Sequence, residues 1–191
     1  MQQKIILASG SKSRKTIMDS LGIPYIAIPA DINEKAIRDK NLKLRAGKIA
    51  RAKAEKVAGE HEGIIISADS FCVCDGHVLE KPKSLDEARE MLKLQGSKPC
   101  VIYTGFCYLD KKNHIDYSTT IAVKYVFRKM SDGEINIFVE DNPVLTWAGA
   151  FALADVNQFK FFEKIDGSLT AATGLPVEVL IPCLERSGVK I

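Results

Sequence analysis

Residues 63–79 read GIIISADSFCVCDGHVL. Gly63 to Ala68 is a continuous apolar run too short to favour a helix, and it predicts a buried strand that ends at Asp69. Phe71 to Cys74 and His77 to Leu79 then flank Asp75-Gly76, a pair that accepts positive φ and predicts a hairpin turn. Just upstream, Asn41 to Ala58 places Leu42, Ala46, Ile49, Ala50, Ala54 and Val57 on one helical stripe with Gly59 as its stop. Just downstream, Ser84 with Glu87 reads as a capping box opening a helix through Leu94, stopped by Gly96. A strand is thus bracketed by helices, and the pattern repeats outward. Lys4 to Ala8 and Tyr25 to Ile28 read as strands around a helix over 13–21, with Gly22 as its terminator. Asp31 to Asn41 lacks a sustained apolar period and reads as a mobile crossing loop or a short helical turn. Val101 to Leu109 and Ile115 to Phe127 read as long strands around a turn at Asp110 to Asn113. Ser131 and Glu134 cap a helix that ends before Pro143. Phe159 to Ile165 reads as a strand, and Pro176 to Arg186 as a helix with proline at its first turn. Interleaved strands and helices give an α/β fold class: a mixed-direction twisted sheet with flanking helices.

The chain has 191 residues, 46% of them hydrophobic and 27% charged, enough for one large domain or two small lobes. A net charge of +3 with interspersed signs argues against a nucleic-acid surface but suits a polyanionic small molecule. The first residues, MQQKIILASGSKSRK, hold too short an apolar run for a signal peptide or a membrane span, so a cytoplasmic protein is expected. The five cysteines include no C-x-x-C pair and read as reduced core residues, with Cys72 and Cys74 on one strand face. The three histidines are scattered, which disfavours imidazole nucleophiles and zinc.

Ser9-Gly10-Ser11-Lys12-Ser13-Arg14-Lys15 falls where a strand turns into a helix, so backbone N–H groups and hydroxyls converge there. Cations in a first turn oppose the helix dipole, which is explained if an anion neutralises them, while plain capping by Ser11 or Ser13 is the rival reading. Lys53 falls inside the apolar stripe of its helix, so its ammonium either snorkels to the edge or meets a buried anion. Asp69 at a strand end suits a ligand cleft, or else forms a turn with Ser70. Glu34 follows Asp31 by three residues and fits a capping box as well as a metal ligand. Lys81, before Pro82, is an extended position that an ordinary surface lysine also occupies. The set offers carboxylates for a hard divalent cation and cations for phosphates, without a P-loop.

The strings ILASGSKSRKTIMDSLG (6–22), ARAKA (50–54), ISADSFCVCDGHVLEKPKSLDEAREMLKLQG (66–96), YTG (103–105), WAGAF (147–151) and TGLPVEVL (173–180) resemble the Maf family in order and spacing across nearly the whole chain. The resemblance implies a fold akin to the inosine-triphosphate pyrophosphatases: residues 1–191 as one Maf-like domain with two lobes around a central cleft, often a homodimer. It implies hydrolysis of a nucleoside triphosphate to monophosphate and pyrophosphate with Mg²⁺ or Mn²⁺; the interspersed charges and the short N-terminal apolar run leave no nucleic acid and no membrane among the expected partners. Carried over, Ser9, Ser11 and Arg14 match the phosphate-binding loop, Glu34 the acidic loop residue, and Lys53, Asp69 and Lys81 the catalytic set. Asp69 would activate water or hold the metal with Glu34. The usual S-P-R-R is here Ser11-Lys12-Ser13-Arg14, so Lys12 or Lys15 would replace one arginine without its bidentate geometry. The branch acting on dTTP and UTP has a glutamine after its A-G-A-Y segment, where this chain has Ala152-Leu153-Ala154-Asp155. The Cys-Val-Cys-Asp-Gly hairpin and Phe161-Phe162-Glu163-Lys164 look closer to the branch acting on 7-methyl-GTP, with Asp155 filling the glutamine's role if the loop slips by one position. A modified nucleotide such as 7-methyl-GTP is therefore the expected substrate, with dTTP or UTP the alternative. A nucleotide sensor that binds without turnover is the rival class, motivated by the missing arginine and glutamine.

Overall fold

The computed structural model describes residues 3–153 and 156–191. Seven strands form one mixed sheet: β1 (Ile5–Leu7), β2 (Ile26–Ala27), β3 (Ile64–Cys74), β4 (His77–Leu79), β5 (Cys100–Asp110), β6 (Ile115–Phe127) and β7 (Phe162–Asp166). Their order is β2-β1-β3-β5-β6-β7, with β4 paired to β3. β1 runs parallel to β2 and β3, whereas the β3/β4 and β6/β7 pairs are antiparallel. The helices are α1 (Lys12–Ser20), α2 (Leu42–Ala58), α3 (Leu85–Gln95), α4 (Asp132–Asp141), α5 (Leu169–Thr173) and α6 (Val177–Arg186). The α/β class with flanking helices is therefore as expected from the sequence.

The chain divides into two compact units, the first made of residues 1–70, 104–121 and 168–191 and the second of 71–103 and 122–167. In the first unit the residues of β3 alternate between two cores, as a period of two requires. Ile64, Ile66 and Ala68 pack with Met18 of α1 and Leu180 and Leu184 of α6. Ile65 packs with Ala50, Ala54 and Val57 of α2. The alanines at 46, 50 and 54 recur every four residues and are all fully buried, giving α2 a low-relief face toward the sheet. That face meets Gly105 of β5, where a Cβ would lie only 2.1 Å from the Ala46 carbonyl oxygen. Only glycine lets the helix backbone come so close. The Ser67 hydroxyl also donates to the Ala50 carbonyl at 2.6 Å, tying α2 to β3.

The second unit is built on an aromatic core. Phe127, Phe138, Phe151, Phe161 and Phe162 pack with ring centroids 4.6–6.2 Å apart. Buried beside them, the Tyr125 hydroxyl donates to Gln95 Oε1 at 2.5 Å and meets Cys72 Sγ at 3.0 Å. Burial pushes the Cys74 thiol up to about 12. All five cysteines are buried and reduced, as expected.

Three expectations change. β3 does not end at Asp69 but continues to Cys74, so Asp69 lies inside the strand. An acid is tolerated there because Lys53 neutralises it. The stretch 159–165 is not one strand: a 3-10 turn over Val156–Phe161 precedes β7. Phe161 and Phe162 are consecutive yet both join the aromatic core, which straight alternation along a strand forbids. The Asp31/Glu34 capping box is also absent, because the 3-10 turn Glu34–Ala36 starts after Asn33 and makes no side-chain cap. α5 was not anticipated; Ser168 caps it and Gly174, at φ 115°, terminates it.

Candidate active site

The site within the first unit follows from strand register. β1 and β3 are parallel with Leu7 opposite Ile66, so the loop after β1 emerges beside Ala68 and Asp69, where β3 runs on without it. Loops beyond the carboxyl ends of parallel strands are where α/β sheets bind ligands. Along β3, Asp69 points toward α2 and Ser70 toward α1, as successive strand residues must.

On the α2 side, the Lys53 ammonium lies 2.8 Å from Asp69 Oδ1 and 2.8 Å from Glu34 Oε1. Lys53 and Asp69 are each 8% exposed, so this is a desolvated pair, whereas Glu34 reaches it from an exposed turn. Lys53 therefore does not snorkel: it meets a buried anion. One of its three N–H groups is given to Asp69 Oδ1, while Glu34 meets the ammonium as an ion pair. Among the described residues Asp69 Oδ2 accepts no hydrogen bond, so half of that carboxylate is free to act on a ligand or water.

On the α1 side, the partly buried Arg14 is held by three acceptors: Gly174 O at 2.8 Å from Nε, Ser9 Oγ at 3.1 Å from Nη1 and Ser70 Oγ at 3.2 Å from Nη2. Burial lowers the guanidinium below its usual range, and the negative charges of Asp69 and Glu34 act on it in the opposite sense. Arg14 thus shares a field with the Lys53 cluster. Ser9 Oγ accepts from both Arg14 and the Ser11 amide, at 3.2 Å, which leaves its own proton as its unused capacity. Ser11 occupies the N-cap position of α1 but makes no side-chain cap, and no acidic residue sits in the first turn. The first N–H groups of α1 are therefore uncapped by side chains while Lys12 stands exposed beside them.

The structure thus brings Ser9, Ser11, Arg14, Glu34, Lys53 and Asp69 together. Lys81 belongs to the second unit and is exposed between β4 and α3. Ala154 and Asp155, on which the base-reading expectation rests, lie outside the described residues. Ser70, Thr104 and the Gly174 carbonyl were missed; Thr104 and Gly174 lie in the YTG and TGLPVEVL strings, but nothing in a sequence says that they face an arginine.

Residues 4–187 match the family described as Maf-like protein. The chain belongs to the Maf family. Its relatives include a dTTP/UTP pyrophosphatase of Syntrophomonas wolfei, 33% identical over 186 residues, covering 97% of this Maf chain and 98% of the relative. A dTTP/UTP pyrophosphatase of Alkaliphilus oremlandii is 34% identical over 180 residues, covering 92% and 91%. A nucleoside triphosphate pyrophosphatase of Corynebacterium diphtheriae is 31% identical over 193 residues, covering 98% and 96%. Among solved structures, the Staphylococcus aureus Ham1 protein aligns with a TM-score of 0.49 at 13% identity, over 66% of this Maf chain and 73% of that one. The expected leaning toward 7-methyl-GTP finds no support in these relatives, two of which are named for dTTP and UTP. Among the described residues of this Maf chain, no helix is long and apolar enough to cross a membrane.

Proposed function

We propose that the protein is a nucleoside triphosphate pyrophosphatase acting on dTTP and UTP. The observation that carries the reaction class is the buried Lys53 held between Asp69 and Glu34, in electrostatic reach of Arg14. The names of the relatives support the choice of nucleotide. In this reading the phosphates lie over the uncapped N-terminus of α1, where the Ser9 proton, the Arg14 guanidinium and backbone N–H groups all donate. Water attacks the α-phosphorus; the new O–P bond forms as the bond from that phosphorus to the bridging α–β oxygen breaks. Asp69 takes the proton, pyrophosphate departs, and Lys53 and Arg14 offset the charge that grows on the phosphate oxygens.

A divalent cation fits this site. Glu34 and Asp69 each place an oxygen 2.8 Å from the Lys53 nitrogen, so the two carboxylates lie near one another, and a cation taken between them would sit beside that ammonium. Among the described residues no third acidic, histidine or cysteine ligand joins them. One or two carboxylates completed by substrate phosphates and water is how Mg²⁺ is commonly bound. When bound, Mg²⁺ or Mn²⁺ would polarise the phosphoryl oxygens. Lys81 of the second unit is proposed as a further phosphate-neutralising cation.

The test is a panel of dTTP, UTP, 7-methyl-GTP and the standard purine triphosphates, with Mg²⁺ or Mn²⁺ and with chelator. Monophosphate plus pyrophosphate as products, fastest from dTTP and UTP, is the expected result. Fastest turnover of 7-methyl-GTP would reverse the nucleotide assignment, and tight binding without pyrophosphate would favour a sensor.

A further inference from the structure

We propose that Thr104 is a positioning residue that orients Arg14 through Ser70. The Thr104 side chain is fully buried, yet its hydroxyl lies 2.8 Å from the Ala171 carbonyl and 3.0 Å from Ser70 Oγ. A hydroxyl has one proton, and a carbonyl can only accept. Thr104 therefore donates to Ala171 O and accepts from Ser70. The Ser70 proton is committed to Thr104, so Ser70 can meet Arg14 only as an acceptor, which is what the 3.2 Å contact from Nη2 requires. The chain runs in one direction, from Arg14 to Ser70 to Thr104 to Ala171, and each member has a matched partner.

The consequence falls on Arg14. Of its five N–H groups, Nε is fixed on Gly174, one on Nη1 by Ser9 and one on Nη2 by Ser70. One N–H remains on each terminal nitrogen, the pair that a phosphate takes in bidentate fashion. Without the Thr104 hydroxyl, Ser70 is free to rotate and to turn its proton toward Arg14, loosening one of the three anchors. The loss is confined to orientation, because the Ala171 carbonyl keeps the Gly174 N–H at 2.9 Å.

This inference rests on the reading that Arg14 holds the substrate's phosphates. The experiment is a double-mutant cycle of Thr104→Val and Arg14→Lys on dTTP or UTP hydrolysis, with Thr104→Ser as the conservative rescue. Thr104→Val should lower kcat/KM about five- to tenfold, the worth of one hydrogen bond, and Thr104→Ser should restore it. In the Arg14→Lys background, Thr104→Val should cost nothing further. Losses that multiply would show that Thr104 does not act through Arg14, and the inference would fall while the phosphate role of Arg14 stands. An Arg14→Lys protein with full activity would remove both. If Thr104→Val does not fold, Ser70→Ala breaks the same relay at its partly exposed link and enters the cycle with the same expected and overturning results.

Discussion

Replacing Gly105 by alanine should damage stability and activity together, because one contact sets both. The new Cβ would sit 2.1 Å from the Ala46 carbonyl oxygen, 2.3 Å from its carbon and 2.7 Å from the Gly47 nitrogen. All three are α2 backbone, so no side chain can rotate away, and the helix must lift by about 1 Å to restore ordinary contact. Overpacking of this kind costs about 1–3 kcal/mol. For a chain of this size each kcal/mol is about 2–4 °C, so Tm should fall by roughly 2–12 °C. Lys53 rides on the same helix, and a displacement of about 1 Å in a catalytic constellation costs on the order of a hundredfold in rate. Gly47→Ala supplies the contrast: its Cβ would meet only Thr120 Oγ1, at 2.9 Å, which a side-chain rotation relieves. Alanine in a helix interior also gains about 1 kcal/mol over glycine, so that variant should be near neutral. Thermal melts and pyrophosphate release on both variants are the assay. A Gly105→Ala protein that melts with the wild type and turns over normally would refute the idea that close approach of α2 places Lys53.

Two further outcomes concern stability. Tyr125→Phe leaves the buried Gln95 Oε1 without its donor and should cost about 1–3 kcal/mol in urea unfolding; an unchanged midpoint would mean that water or Cys72 replaces the hydroxyl. Glu134 is held at about 2, below its ordinary value near 4.5, chiefly by the Arg128 hydrogen bond and then by the Ser131 N–H. A depressed carboxyl stabilises above its unfolded pKa and loses that contribution as pH falls through the folded one. The stability gap between wild type and Glu134→Gln should therefore be open at pH 5 and narrow toward pH 2, and a gap independent of pH would sink the assignment.

Much of this arrangement was legible in the residues. The alanine-rich stripe of α2 revealed both the helix and the anomaly of Lys53 within it, since an ammonium on an apolar face requires an anion. The Ser-Gly-Ser loop and the cations after it marked the start of α1. What stayed hidden depends on tertiary pairing. Asp69 read as a strand end because an isolated acid breaks an apolar run, and only its Lys53 partner lets β3 continue. Glu34 read equally well as a cap, until its carboxylate was seen on Lys53. The grip of Ser70, Thr104 and Gly174 on Arg14 joins residues up to 160 positions apart, and no local period records it.

The most direct test of the central claim is pyrophosphate release from dTTP or UTP by Asp69→Asn, alongside the affinity of both proteins for an α,β-methylene analogue. If Asp69 takes the proton from water beside Lys53, turnover should drop on the order of a hundredfold or more while analogue binding stays within a few-fold. Undiminished turnover by the variant would contradict the account.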